Sequence, residues 1–252
     1  MISKTSLHAI ASLVLLVMSS RAADTAIELA NKLSAAQQDQ SSYLRLKMVT
    51  QGTTLQIQIK QRHTAAATEV VYQILWPKER LGESVLLRRI GNQPPSGVLF
   101  VPPAIWRKID MDAPLFGSDL AYADLLENSF AWEKQAIIGT EVVDRVSCWI
   151  LESKPGRADR SIYAAVRTWV DVRRVVPLRM EKLDAAGQVL RRVESGRIVT
   201  DDIGRHVPST LEVRRPLQGS STALNGSKLK HDVVFAEAEF TSEGLKHMKA
   251  PQ

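Results

Sequence analysis

Beyond the first 22 residues the chain carries His63, His206, His231, His247 and the single cysteine Cys148, and no two of these stand at metal-ligand spacing. There is no His-x-x-x-His and no Cys-x-x-Cys, the pairings that place two ligands on one helix face or one turn. With one cysteine no disulfide can form within the chain, and Cys148 is expected as a buried core thiol. A nucleophilic serine would need a Gly-x-Ser-x-Gly elbow, which does not occur. Gly91 to Gly97 is turn-rich, but its prolines lack the N–H groups that cradle phosphate, and no Gly-Lys-Ser/Thr follows. Asp110 with Asp112, and Asp201 with Asp202, are acid pairs without supporting context. The sequence therefore predicts no catalytic residue, no metal and no cofactor.

What the residues do offer is apolar and aromatic surface. Trp76, Phe100, Trp106, Phe116, Tyr122, Phe130, Trp132, Trp149, Tyr163 and Trp169 fall on predicted strands or on a central loop-helix segment. A sheet with one apolar face must cover that face, and a large curved sheet covered by few helices leaves a hollow where apolar ligands sit.

The elements that would position these side chains follow from periodicity. Residues 24–39 read as a helix, with Asp24 as N-cap and Ile27, Ala30 and Leu33 on one face. The period then switches to two. Residues 41–50 alternate Leu44, Leu46 and Met48, and residues 53–62 alternate Leu55, Ile57 and Ile59 with Gln56, Gln58 and Lys60, a strand with one apolar and one polar face. Further strands are expected at 68–76, 83–90, 97–101, 105–111, 132–138, 142–152, 161–170, 177–183, 189–198, 208–214 and 228–239. The segment 114–127 reads as a loop followed by a short helix, and 241–247 as a closing helix. Gly139-Thr140, Pro155-Gly156, Asp184 to Gly187 and Asp202 to Gly204 supply turns, and 219–226 reads as a polar loop. Many short strands linked by hairpins predict a mainly β (α+β), antiparallel barrel or sandwich in one domain.

The amino terminus reads as an address. Lys4, the apolar run Ala9–Met18 and the small residues of Ser20-Arg21-Ala22 make a secretory signal peptide. The run is too short to span a bilayer, which takes roughly 20 residues. Cleavage after Ala22 is expected, leaving residues 23–252 as a single exported domain. The net charge of +6 comes from basic residues dispersed in pairs such as Arg173-Arg174 and Arg214-Arg215. That dispersion predicts no nucleic-acid binding, and a mild basic excess suits contact with anionic headgroups.

Residues 98–125 carry a more specific pattern. Val98-Leu99-Phe100-Val101-Pro102, then Trp106-Arg107-Lys108-Ile109, then Phe116-Gly117-Ser118-Asp119-Leu120-Ala121-Tyr122-Ala123-Asp124-Leu125 resembles the outer-membrane lipoprotein-sorting protein family, the periplasmic relatives of the LolA carrier. Members commonly read Phe-x-Gly-Ser-Asp-Phe-Ser-Tyr-Glu-Asp-Leu at the last of these. Here Leu120, Ala121 and Ala123 replace the usual Phe, Ser and Glu. Thr168-Trp169-Val170-Asp171, Pro177-Leu178-Arg179 and Phe240 to Leu245 extend the likeness over most of the chain, with a small insertion at Gly156–Arg160.

The resemblance implies a LolA-like incomplete, strongly curved antiparallel β-barrel. In that fold an N-terminal helix and short lid helices cover the concave apolar face, and acyl chains are carried there without chemistry. It places Leu55, Ile57, Ile59, Tyr72, Ile74, Trp76, Val85 and Leu87 toward the concave face and Phe100, Trp106, Phe116, Tyr122 and Leu125 at its rim and lid. Arg88, Arg89 or Arg107 would meet a headgroup. The implied partners are lipid or lipoprotein acyl chains and an inner-membrane transporter, with transient membrane contact, for a monomeric periplasmic protein. A sensor or adaptor acting with an inner-membrane partner is the alternative, and a hydrolase or lyase on the same scaffold a third.

Overall fold

The alternation of β-branched and leucine residues with polar ones from residue 41 onward builds a single dominant sheet. The computed structural model describes residues 25–37, 41–91, 93–157, 159, 161–226 and 229–247; the expected signal peptide and the Asp24 cap lie outside these residues. Helix α1 covers 25–37. The strands are β1 (Ser41–Thr50), β2 (Thr53–His63), β3 (Ala67–Trp76), β4 (Ser84–Ile90), β5 (Ser96–Val101), β6 (Ile105–Lys108), β7 (Lys134–Val143) and β8 (Val146–Lys154). They continue as β9 (Ala165–Asp171), β10 (Pro177–Leu183), β11 (Val189–Ser195), β12 (Ile198–Thr200), β13 (His206–Pro208), β14 (Thr210–Arg215), β15 (Ser220–Gly226) and β16 (Lys230–His231).

The sheet order is β6-β5-β4-β3-β2-β1-β15-β14-β11-β10-β9-β8-β7, with β16 on the end of β1 and β12-β13 as a separate ribbon. Every ladder is antiparallel. Two meanders, β1–β6 and β7–β15, are thus joined along one seam, where Leu46 pairs with Gly226 and Thr50 with Thr222. The sheet is curved and open, with edges at β6 and β7, and does not close into a barrel.

Alternation decides what each face buries. In the first meander Met48, Leu55, Ile57, Tyr72, Ile74, Val85 and Leu87 share the inner face, and the inner segment 109–126 packs Ile109, Leu115, Phe116, Tyr122 and Leu126 against them. In the second, α1 lays Ala26, Leu29, Ala30 and Leu33 onto Phe130, Leu151 and Val170. Cys148 is fully buried on the outer face of that half, beside Val143, Trp169, Val176 and Leu178.

Four local expectations are corrected. Gly139-Thr140 is no turn: β7 runs through it with a register shift, and the chain reverses at Asp144-Arg145, both with positive φ (46° and 67°). Two left-handed residues suit a tight hairpin, but Asp-Arg lacks the Gly that usually marks one. The polar stretch 219–226 is β15, the seam strand. Its Ser and Thr residues read as loop, yet Thr222 and Leu224 alternate inward. The last expected strand shrinks to Lys230–His231, after which the chain crosses the outer face of the first meander in short 3-10 turns at Glu237–Phe240 and Glu243–His247.

That tail explains the fourth difference. The polar face of β2 is not solvated: Gln58 and Lys60 are both 1% exposed. Lys60 ion-pairs with Glu239 of the tail. Gln58 donates to Gln73 (2.7 Å), which donates to Ser84 (3.0 Å), while Tyr43 donates to Gln58 (3.2 Å). A hydrogen-bonded ladder across four strands satisfies polar groups that would otherwise be costly to bury.

Candidate functional site

The inner segment does not fill the concave face. Between it and the seam lies a cavity of about 310 Å³, at the small end of the range for ligand sites, roughly 300–1,000 Å³. Its floor is the sheet: Leu44, Leu46 and Met48 on β1, Ile57 and Ile59 on β2, and Leu224 on β15. Val193, Leu211 and Val213 continue the floor on β11 and β14, and Leu115, Leu120 and Leu125 form the cover. The lining is almost wholly aliphatic, with Ser42, Gln61 and the Tyr72 hydroxyl as its polar exceptions. Burial raises the Tyr72 pKa well above its usual value, so the phenol stays neutral.

The cover is pinned by the two acids of the Gly-Ser-Asp…Tyr…Asp-Leu stretch. Asp119 is gripped from the seam: its N–H donates to Thr222 Oγ1 (3.0 Å), and its carboxylate accepts from Ser220 (2.5 Å) and Thr222 (2.7 Å). Asp124 is gripped from the second meander. Lys182 Nζ lies 2.7 Å from Asp124 and 3.0 Å from Glu127, and Arg191 Nε lies 3.3 Å from Asp124. Tyr163 OH donates to Asp124 (2.7 Å), and Arg191 donates to the Asp119 carbonyl (2.9 Å). Burial alone would raise the Asp124 carboxyl; Lys182 and Arg191 more than offset it and hold it below the usual carboxylate range. Lys182 behaves as the mirror image: burial pulls it down, and Asp124 with Glu127 carries it above its ordinary value. Tyr163 is pushed up by burial and by the neighbouring Asp124 charge. These residues are occupied with one another, which is the work of a fastening and not of acid–base exchange.

On the far side of the cover, where Ala123 replaces Leu125 as the wall, lies a second, more open hollow of about 520 Å³. Its walls come from the β4–β5 turn, from Asp112 and Asn128 of the inner stretch, and from Asp159, Ser161 and Tyr163. Trp132 and Arg89 face it as well.

The structure sorts the sequence-predicted residues into three places. Ile57, Ile59, Tyr72 and Leu125 line the apolar cavity. Leu55, Ile74, Val85, Leu87, Phe116 and Tyr122 belong to the same inner-face cluster but meet other side chains. Phe100, Trp106 and Trp76 lie elsewhere. Phe100 pairs with Ser84 and Trp106 with Phe100, so both rings point to the outer face, tilted by 37° with centroids 4.6 Å apart and covered by Phe240 and Leu245. Trp76 ends β3 with 48% of its surface exposed. The three arginines also separate. Arg88 is tied on the outer face to Glu69 (2.7 Å) and the Phe240 carbonyl (2.7 Å), Arg107 is exposed on edge strand β6, and Arg89 faces the polar hollow.

Sequence reading left out much of the cavity floor. Leu44, Leu46 and Met48 showed the right alternation, as did Leu211 and Val213, but nothing local says that β1 and β15 adjoin. Lys182 and Arg191 were missed because a charged residue on an inner face reads as a break in the pattern until its buried partner is known.

A three-residue cluster elsewhere, Asp201, Asp202 and His231, has ligand-type geometry. Arg205 already occupies it, with Nε 3.1 Å from Asp201 and a guanidinium nitrogen 2.5 Å from the His231 ring. Among the described residues no helix is long and apolar enough to cross a membrane.

A curved open antiparallel sheet, one long helix and a fastened inner segment over an apolar hollow define a LolA-like fold. A DUF1329-like family model, described as that of an uncharacterized protein, matches residues 100–247; this is over half of the chain, and the chain belongs to that family. Solved structures agree on the fold. A DUF1329 family protein from Desulfovibrio piger matches with a TM-score of 0.80 and 21% identity, over 89% of this chain and 99% of that one. An outer membrane lipoprotein-sorting protein domain from Vibrio parahaemolyticus gives 0.77 and 20%, over 89% and 100%. A LolA superfamily protein from Nitrosomonas europaea gives 0.67 and 17%, over 88% and 99%. No curated protein matches the chain.

Proposed function

We propose that this protein is a non-catalytic carrier that shelters a lipid acyl chain, free or on a lipoprotein, in the apolar cavity under residues 115–125, and that it works in the periplasm after loss of residues 1–22. The observation that carries this reading is the cavity itself: an almost wholly aliphatic hollow of about 310 Å³ left open on the concave face of the sheet. Each methylene moved from water into such a lining gains about 0.8 kcal/mol, which is what lets an acyl chain cross an aqueous space. The LolA-like fold supports the reading, since two of the similar structures are described as a lipoprotein-sorting domain and a LolA superfamily protein. In its present shape the cavity has room for part of one chain; a longer or second chain would require the cover to lift from the sheet.

Delipidated protein should take up a fluorescent single-chain fatty acid at a one-to-one ratio, and native mass spectrometry of freshly purified protein should show bound acyl species. Leu224→Trp, which fills the floor without adding charge, should abolish uptake while the protein stays folded. Absence of both uptake and co-purified lipid in the wild type would end this reading.

A further inference from the structure

The polar hollow behind the cover carries an arrangement that the apolar cavity does not explain. Arg89 is the only cation among the described residues lining it, and it forms no hydrogen bond or ion pair with any described residue. Its neighbour Arg88 is fully engaged on the other face of the sheet. A guanidinium at such a place, with no described residue taking its donors, is a five-donor fork suited to a phosphate oxygen pair. Burial disfavours its charge, and Glu127 and Asp159 compensate only in part from a distance.

The same hollow is not a simple anion site. Asp112, Glu127 and Asp159 also line it. Glu127 is neutralised by Lys182 (3.0 Å) and accepts from Ser161 (2.5 Å). Asp159 accepts from the backbone N–H of Gly156 (2.8 Å) and Glu133 (3.4 Å), and no cationic side chain among the described residues pairs with it or with Asp112. A ligand bearing only negative charge would gain at Arg89 and lose at these carboxylates. One that carries a phosphate and, a few bonds away, an ammonium would gain at both, with Trp132 as an aromatic neighbour for the cationic end.

The two hollows share a wall. Ala123 faces the polar one and Leu125 the apolar one, two residues apart on the same 3-10 turn. We propose that the polar hollow is a headgroup site for a zwitterionic phospho-amine of the phosphoethanolamine type, with Arg89 holding the phosphate and Asp112 with Asp159 receiving the ammonium. This rests on the carrier reading for the chain that such a headgroup brings with it.

The test titrates the full mature chain with four probes: lysophosphatidylethanolamine, lysophosphatidylglycerol, a monoacylglycerol of the same chain, and glycerophosphoethanolamine without a chain. Wild type should bind the ethanolamine lysolipid at least tenfold more tightly than the glycerol one. Arg89→Gln should remove at least tenfold of that affinity, leave monoacylglycerol binding unchanged and retain the wild-type melting temperature, and Arg89→Lys should restore part of the loss. Asp112→Asn with Asp159→Asn should erase the preference for ethanolamine over glycerol. The proposal is overturned if Arg89→Gln binds the ethanolamine lysolipid as wild type does, if both lysolipids bind equally, or if inorganic phosphate displaces the ethanolamine lysolipid as well as glycerophosphoethanolamine does, which would make this a free-phosphate site. Monoacylglycerol binding without any headgroup preference sinks the headgroup site and spares the carrier. Glycerophosphoethanolamine binding without uptake of any chain does the reverse. If nothing binds, both fall.

Discussion

The two ends of the inner segment are held to the same sheet by opposite physics. At one end Leu115 and Phe116 sink into the aliphatic cluster of the first meander, and their fastening is area removed from water. At the other end Asp124 and Glu127 reach Lys182 and Arg191 of the second meander, and their fastening is charge against charge among largely buried side chains. The apolar end loses contact energy gradually as it is displaced, since its dispersion contacts are many and individually small. The ionic end does not, because moving it leaves buried charges unpaired. The difference predicts that a cover lifting from the sheet would part at the apolar end before the ionic one.

The largest effect should come from the ionic end. Asp124→Ala leaves Lys182 with Glu127 alone and Arg191 without its carboxylate, and should destabilise the protein by roughly 3–5 kcal/mol in urea unfolding. A loss below about 1 kcal/mol would mean that water already reaches the cluster and that the comparison fails. Next is the packed floor. Ile74→Ala, at a fully buried position, should cost about 2–5 kcal/mol through lost transfer energy and a residual cavity.

Acid titration sharpens the contrast. Because Asp124 is held below its unfolded pKa (about 3.9), its contribution is complete above that pH and is lost as pH falls through the lower folded value. The stability gap between wild type and Asp124→Asn should therefore be constant from neutral pH to about pH 4 and close below it. A gap that closes near pH 6 would contradict the assigned direction. Leu46→Ala, on the wall of the open cavity, should cost only about 1 kcal/mol, since its side chain is already part exposed. Least of all, Lys32→Ala removes an exposed pair with Glu28 on α1 and should leave the melting curve unchanged.

How much of this was legible beforehand depended on whether a feature is local. β2, β3, β10 and the existence of α1 were readable because periodicity of two or 3.6 is written into a few consecutive residues, but the face of α1 was misplaced at Ile27, which is 48% exposed while Ala26 and Leu29 are buried. The β7–β8 turn was not, because Asp144-Arg145 adopts a conformation that its residue types do not announce. Nor was β15, whose strand character comes from its partners β1 and β14 and not from SSTALNG itself. The resemblance at residues 116–125 drew attention to one continuous stretch, which the structure lays against the inner face. Its acids gained a physical role only when Ser220, Thr222, Lys182 and Arg191 were seen to converge on them from three strands, β15, β10 and β11. Phe100 and Trp106 went to the unexpected face because a fourteen-strand sheet has two greasy sides here, the outer one hidden by a tail that reads as a strand.

The seam between β1 and β15 carries a consequence for the order in which the molecule is made. Each meander is a run of neighbour-to-neighbour hairpins that can zip early, whereas Leu46 meets Gly226 only after nearly the whole chain has been synthesised. The hollow straddles that join, so it has no existence in either half alone. Any guest seated there would bridge the two ribbons like a rivet, adding its own affinity to the cohesion of the join, and the empty molecule should come apart there first.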